Sequence, residues 1–353
     1  MKKHANIPVF IPHEGCPNNC VFCNQRAITG MHEKAGRDIR PEIDAALESL
    51  TLPPCEIQIA FFGGSFTGID RNLMVRLLND AYTYVQERKV DSIRLSTRPD
   101  YISEEILDIL KSHGVKSVEL GIQSMDDSVL KRSLRGHSSE DSERACALVK
   151  AYGFELVGQM MSGLPGSTEE SEVRTAKKLA AMGCDAARLY PTVVFENTEL
   201  CRMAKSGEYT PLDEEQAIKR GASVLEALIQ NGVKPIRIGL QATEALCAGT
   251  DVYGGTHHSA LGERIEGEYY RRLLVGLLEP LTQNLSNKPE ECVIFCAPGE
   301  ESKLSGQKKI NRLWLAETLF GNPGEARRIK IRPSDRLSPY SLELDAYRPK
   351  RKT

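Results

Sequence analysis

The chain has 353 residues, with 46 Lys and Arg against 48 Asp and Glu, for a net charge of −2. Apolar residues make up 41 % and charged residues 27 %, enough for a sizeable core, and the near-neutral balance excludes a globally basic nucleic-acid binder. Ten cysteines are too sparse for a disulfide scaffold, and no apolar run is long enough to span a membrane. Lys2 and Lys3 are followed by only a short apolar stretch, broken at Pro8, so no signal peptide is read and a cytoplasmic, reducing location is expected.

Taken in order, short runs rich in Val, Ile and Phe predict strands at 8–11, 57–62, 92–95, 117–120, 154–160 and 186–190, and a seventh at 235–240. Helical periodicity fills the gaps, at about 41–50, 69–88, 103–112, 138–152, 168–182 and 213–231. Ser167 with Glu170 reads as a capping box for the fifth of these helices. Asp213, Glu214 and Glu215 suit the start of the sixth, and Gly232 suits its stop. Repeated βα units imply a parallel sheet, because parallel neighbours need a crossover helix. Six units close most of a barrel, which predicts an α/β core, a partial (β/α)6 barrel, over residues 1–240.

Residues 241–353 read as a small α+β C-terminal extension. It has a loop at 249–255, a helix at 263–278, a polar stretch at 282–291, a strand at 292–296 and a helix at 311–320. Nine Lys/Arg against three Asp/Glu over 326–353 give a basic tail. Such a tail gains phosphate affinity by releasing counterions, and is the one electrostatic hint of a nucleic-acid partner.

Cys16-Pro-Asn-Asn-Cys20-Val-Phe-Cys23 directly follows the first strand. Three thiolates on one tight loop reach three corners of a cubane iron–sulfur cluster and leave one iron open. Pro17, Asn18 and Asn19 favour the turn, and Phe22 is placed to shield the cluster. A zinc site with His13 or His32 as fourth ligand is the competing reading. The other cysteines are scattered, and Cys292 with Cys296 suits strand burial.

This C-x3-C-x-Φ-C pattern after the first strand resembles the radical S-adenosylmethionine (SAM) superfamily. The resemblance implies a [4Fe–4S] cluster held by Cys16, Cys20 and Cys23. Its open iron would bind SAM, and one-electron cleavage would give a 5′-deoxyadenosyl radical. A low-potential donor of flavodoxin or ferredoxin type would supply the electron. Further segments resemble the branch containing the Elongator catalytic subunit and the oxygen-independent coproporphyrinogen oxidases. They are Thr97-Arg98-Pro99-Asp100, Gly121-Ile122-Gln123-Ser124, Arg135-Gly136-His137 and Gly163-Leu164-Pro165. Leu189-Tyr190-Pro191-Thr192-Val193-Val194 is similar to the Elongator type.

Carried over position by position, Gly63, Gly64, Ser96, Gln123, Arg135 and Gln159 are the expected SAM contacts. Ser65 replaces the acid of the usual Gly-Gly-Glu motif, so backbone contact is expected there. Ser96 and Gln159 stand where acids are usual. His257 and His258 resemble a post-barrel segment at the substrate mouth. The stretch after the last long helix is too short for the acetyltransferase domain of Elongator-type proteins. A full tRNA carboxymethylation by this chain alone is therefore not expected; the resemblance implies tRNA as the substrate, with a small metabolite such as a porphyrin as the alternative. A zinc-stabilised RNA-binding protein without catalysis is the non-enzymatic alternative.

Overall fold

The computed structural model describes residues 4–11, 15–16, 20–24, 36–50, 56–240, 251–282 and 290–346. The chain opens with β1 (His4–Ile11), in which Ile7, Val9 and Ile11 are buried. Pro8 lacks a donor and is tolerated because β1 is an edge strand. Then come α1 (Arg40–Ser49), β2 (Glu56–Gly63), α2 (Arg71–Gln86), β3 (Ser92–Thr97) and α3 (Glu104–Ser112). Asp70 caps α2 by accepting from the Leu73 amide, and Ser103 caps α3 through the Ile106 amide.

The series continues with β4 (Val115–Gln123), α4 (Asp127–Arg132), α5 (Ser139–Ala151), β5 (Glu155–Ser162), α6 (Glu169–Ala181) and β6 (Ala186–Pro191). After these lie β7 (Val193–Phe195), α7 (Glu199–Lys205), α8 (Glu214–Gln230) and β8 (Lys234–Ile238). Seven strands form one sheet in the order β1-β2-β3-β4-β5-β6-β8, every neighbouring pair parallel. The sheet curls into a partial barrel that stays open between β1 and β8. The expected seventh run thus joins the barrel sheet itself.

One face of each strand is apolar. Ile59, Phe61, Ile93, Leu95, Val118 and Leu120 pack with Met74, Leu77, Leu107 and Leu179 of the helices. Each such fully buried side chain contributes roughly 1.5–3 kcal/mol. The other face, toward the barrel interior, is polar at alternate positions, with Gln58, Arg94, Ser96, Glu119, Gln159 and Arg188.

Beyond the barrel lie β9 (Val252–Gly255), α9 (Leu261–Thr282), β10 (Cys292–Cys296), α10 (Glu301–Ser305), α11 (Ile310–Phe320), β11 (Ile329–Pro333) and β12 (Leu342–Ala346). Helix α9 lies against α8 at Gly221, where an added Cβ would come 2.7 Å from Ile265 Cδ1. Strand β10 is flanked by β11 and β12. Its buried face is Cys292, Ile294 and Cys296, which agrees with the expected structural role of that cysteine pair.

Three expectations need correction. The helix at 168–182 is capped by Thr168 with Ser171, not Ser167 with Glu170, because the Ser167 hydroxyl is bonded to Glu172. Residues 252–255 are a strand paired with β7 rather than loop, since β7 offers an edge. Much of the basic segment is no tail: up to Ala346 it supplies β11 and β12, which shield both edges of β10. Residues 347–353 lie outside the described residues.

Candidate functional site

The cysteine loop leaves the C-terminal end of β1 and is pinned at two points. The Val21 amide donates to the Ser133 carbonyl at 3.2 Å, and the Leu200 amide donates to the Val21 carbonyl at 2.8 Å. Val21 and Phe22 pack with Val194, Leu200 and Tyr209, so Phe22 anchors the loop in a small core of its own. Cys16 is exposed, Cys20 buried and Cys23 intermediate. The Cys16 Sγ lies 3.6 Å from Ser65 Oγ, and the Cys20 Sγ accepts from Arg135 Nη1 at 3.2 Å. Among the described residues, no three His, Cys, Asp or Glu side chains converge closely enough to hold a metal ion. His13 and His32, of the zinc reading, lie outside the described residues.

Gly63 ends β2 with φ +98°, and a Cβ there would sit 2.8 Å from the Ile11 carbonyl oxygen. A side chain is excluded by both the backbone and the neighbouring strand. The Gly64 amide donates to that same carbonyl at 2.9 Å. This amide is therefore committed to holding β1 and β2 together, and backbone contact with a ligand would have to come from elsewhere in the turn.

At the next strand ends, Ser96 and Gln123 are buried, and Ser96 Oγ and Gln123 Oε1 have no hydrogen-bond partner. Gln123 closes β4 after a register shift, with φ +66°. Arg135 braces this end: its Nη2 donates to the Gly121 carbonyl at 2.5 Å. Arg98 donates to the Arg135 carbonyl at 2.6 Å and forms a bidentate pair with Asp100 at 2.8 and 2.9 Å. Burial works against the Arg98 charge, but the hydrogen bonds and charge of Asp100 hold its pKa above the usual value. Arg135 thus bridges the cysteine loop to the β4 end.

Gln159 faces inward and donates to Glu119. Glu119 also meets Arg188 Nε at 3.0 Å and Arg94 Nη2 at 3.4 Å. Sequence reading missed Glu119, Arg94 and Arg188. The available signal was a charge at the centre of an otherwise apolar strand, since buried charges must be paired. His257 and His258 line a cleft with Pro191, Ile238 and Gly239, at the ends of β6 and β8.

The donor set fits a cluster and a polar ligand: three thiols on one loop, a cation on one of them, and orphaned buried oxygens at the adjacent strand ends. Comparison with known proteins points the same way. The sequence model of the radical SAM superfamily matches residues 10–179, and that of the radical SAM C-terminal domain matches residues 184–271. An uncharacterised protein of Methanocaldococcus jannaschii is 30 % identical over 238 residues, 64 % of this chain and 73 % of that one. The chain belongs to the radical SAM superfamily.

Enzymes of this superfamily normally bind a [4Fe–4S] cluster and SAM. A second relative, named tRNA uridine(34) acetyltransferase, from Methanocaldococcus infernus, is 29 % identical over 301 residues, 74 % of this chain. This chain spans 55 % of that relative's length. The structure of Methanocaldococcus infernus Elp3, with an N-terminal deletion, superposes with a TM-score of 0.62 at 24 % identity. That match covers 81 % of this chain and 69 % of the other and shows a shared fold, a partial radical SAM barrel followed by a C-terminal part. No helix among the described residues is long and apolar enough to cross a membrane.

Proposed function

We propose that this radical SAM enzyme holds a [4Fe–4S] cluster on Cys16, Cys20 and Cys23 and uses it to cleave SAM reductively, with tRNA as the substrate. The observation that carries the reading is the cysteine loop at the end of β1, with the Arg135 guanidinium 3.2 Å from the Cys20 sulfur. A cation there offsets the negative charge of thiolate ligands. When bound, the cluster and SAM supply one-electron cleavage of the sulfonium and, with it, hydrogen-atom abstraction.

The chain's own residues do the positioning. Gly63 lets β1 and β2 approach closely enough to present the loop. Ser96 Oγ and Gln123 Oε1 are free to meet the polar groups of SAM, and Gln159 does so backed by Glu119. Arg135 keeps loop and strand end in one geometry. In this reading residues 1–240 hold the cofactors and 241–353 form the extension, in a cytoplasmic enzyme served by a flavodoxin- or ferredoxin-type donor. The tRNA substrate is supported by the name of the Methanocaldococcus infernus relative, of which this chain spans about half, and by the basic residues around β11.

Anaerobic reconstitution tests the cofactor assignment. Iron and sulfide are measured first, then 5′-deoxyadenosine after dithionite and SAM are added. Cys20→Ala is expected to lose both the cluster and the product, whereas Cys292→Ala keeps them. A colourless protein holding one zinc and no iron would overturn the reading in favour of the zinc alternative. Salt-dependent binding of tRNA, absent for a porphyrin substrate, tests the substrate class.

A further inference from the structure

The charges inside the barrel do not balance. Arg94 on β3 and Arg188 on β6 meet one carboxylate, Glu119 on β4, and Arg237 on β8 stands beside Arg188. Arg188 and Arg237 are register partners on adjacent strands, and the charges of both act on Tyr190. Among the described residues, Arg237 donates from Nε to the Gly239 carbonyl at 3.3 Å. Arg94 is only 5 % exposed, yet its contacts to Gln58 and Glu119 are long, both 3.4 Å, and its Nε has no partner. The Arg188 guanidinium lies 5.4 Å from the Phe62 ring centroid. Among the described residues, these three guanidinium groups thus have one bonded carboxylate, Glu119, an excess of two positive charges within the group.

Burying charge without a counter-charge costs several kcal/mol per ion, so such an arrangement persists where a counter-ion completes it. SAM does not supply that counter-charge, because its sulfonium makes it a net cation when its amino and carboxylate groups offset each other. The chamber is also accessible. Gln159, Met161 and Tyr190 are partly exposed although β5 and β6 each have a neighbour on both sides. Their exposure is therefore to the barrel interior.

We propose that Arg94, Arg188 and Arg237 form a binding site for an oxyanion, the carboxylate or phosphate group of a small molecule that enters the barrel. Guanidinium groups suit this role because their planar fork matches both anions. The inference deepens the function proposed above and rests on it only in taking the barrel interior as the reaction chamber.

Isothermal titration of sodium phosphate, and separately of sodium acetate, into the full chain at constant ionic strength provides the test. At least one anion is expected to bind at a single saturable site; phosphate preference marks a phosphate-bearing ligand and acetate preference a carboxylate-bearing one. Arg237→Gln, on the half-exposed edge strand, is expected to weaken binding about ten-fold. Glu119→Gln, which removes the competing carboxylate, is expected to tighten it. Lys150→Gln, an outward-facing cation of α5 paired with Asp185, is expected to leave it unchanged. Thermal melting of the same samples identifies the folded variants. No saturable binding of either anion, or equal constants for the wild type and a folded Arg237→Gln, would overturn the proposal, and neither result depends on SAM cleavage.

Discussion

His137 is 6 % exposed, and burial, helped by the guanidinium groups of Arg135 and Arg98, pushes its pKa down to about 4. Asp100 and the Ile122 carbonyl pull the other way and less strongly. On unfolding the imidazole returns to its ordinary value near 6.5, so between these values the unfolded chain binds more protons. The stability contribution is therefore complete above about pH 6.5 and is lost as pH falls toward 4, by up to about 3 kcal/mol. Melting curves of the metal-free protein from neutral to mildly acidic pH check this. The wild type is expected to lose more stability across the window than His137→Leu, and parallel losses would clear His137 of the effect. In the sequence His137 reads equally well as an ordinary polar residue at a helix start. Its burial is not legible locally, because Arg98 and Asp100, two of the charges that act on it, come from the distant end of β3.

At the scale of elements, two junctions dominate. Gly63 joins β2 to β1 in a backbone conformation and a space that admit no Cβ. Gly63→Ala is expected to lower the urea midpoint by the equivalent of about 2 kcal/mol or more. The second junction is Glu172 of α6, which is 2 % exposed. It accepts from the Gly163 amide at 2.6 Å, from Ser167 Oγ at 2.8 Å and from Arg220 of α8, with Nε at 2.9 Å. Glu172→Ala leaves the partly exposed Arg220 without its carboxylate and the Gly163 amide without its acceptor, and is expected to cost about 3 kcal/mol in a denaturant titration. A loss below 1 kcal/mol, within the range of a surface pair, would mean that water replaces the carboxylate. These junctions also show where sequence reading stops. All seven strands of the sheet were legible from their apolar runs, but several end later than expected. Ser96, Thr97 and Gln123 complete β3 and β4, and as polar residues they break the apolar pattern that defines a strand. The residues that carry the site are those that hide the ends of the strands. The cap at Thr168 was displaced for a related reason, because adjacent hydroxyls compete and the ion pair takes Ser167.

At the scale of the whole molecule, the cysteine triplet was legible because its members lie within eight residues of one another. The charged barrel interior was not, because Arg94, Glu119, Arg188 and Arg237 come from four strands that only folding brings into one sheet. The extension shows the same dependence on tertiary contacts. The Tyr340 amide and the Tyr270 hydroxyl both donate to Glu300, and the Tyr340 hydroxyl donates to Glu266 at 2.7 Å. This network fastens the chain leading into β12 onto α9, so the charge of that segment is displayed on a folded surface. Tyr340→Phe keeps the ring packing and removes one donor, and a loss of about 1 kcal/mol in the unfolding transition is the expected result.

The sheet order also carries information about time. Arg94 and Ser117, paired across β3 and β4, are 23 residues apart in the chain, whereas His4 and Glu56, paired across β1 and β2, are 52 apart. At the other edge, Ala186 and Lys234 are 48 apart. Closing the longest of these loops costs about 0.7 kcal/mol more in chain entropy than closing the shortest. The middle of the barrel is therefore expected to assemble first and its two edges last. Pulse-labelled hydrogen exchange during refolding would show protection of β3 and β4 before β1 and β8. Because the cysteine loop hangs from β1, its thiols stay accessible until the final strand docks, and metal supplied during refolding meets them before the barrel has closed around them.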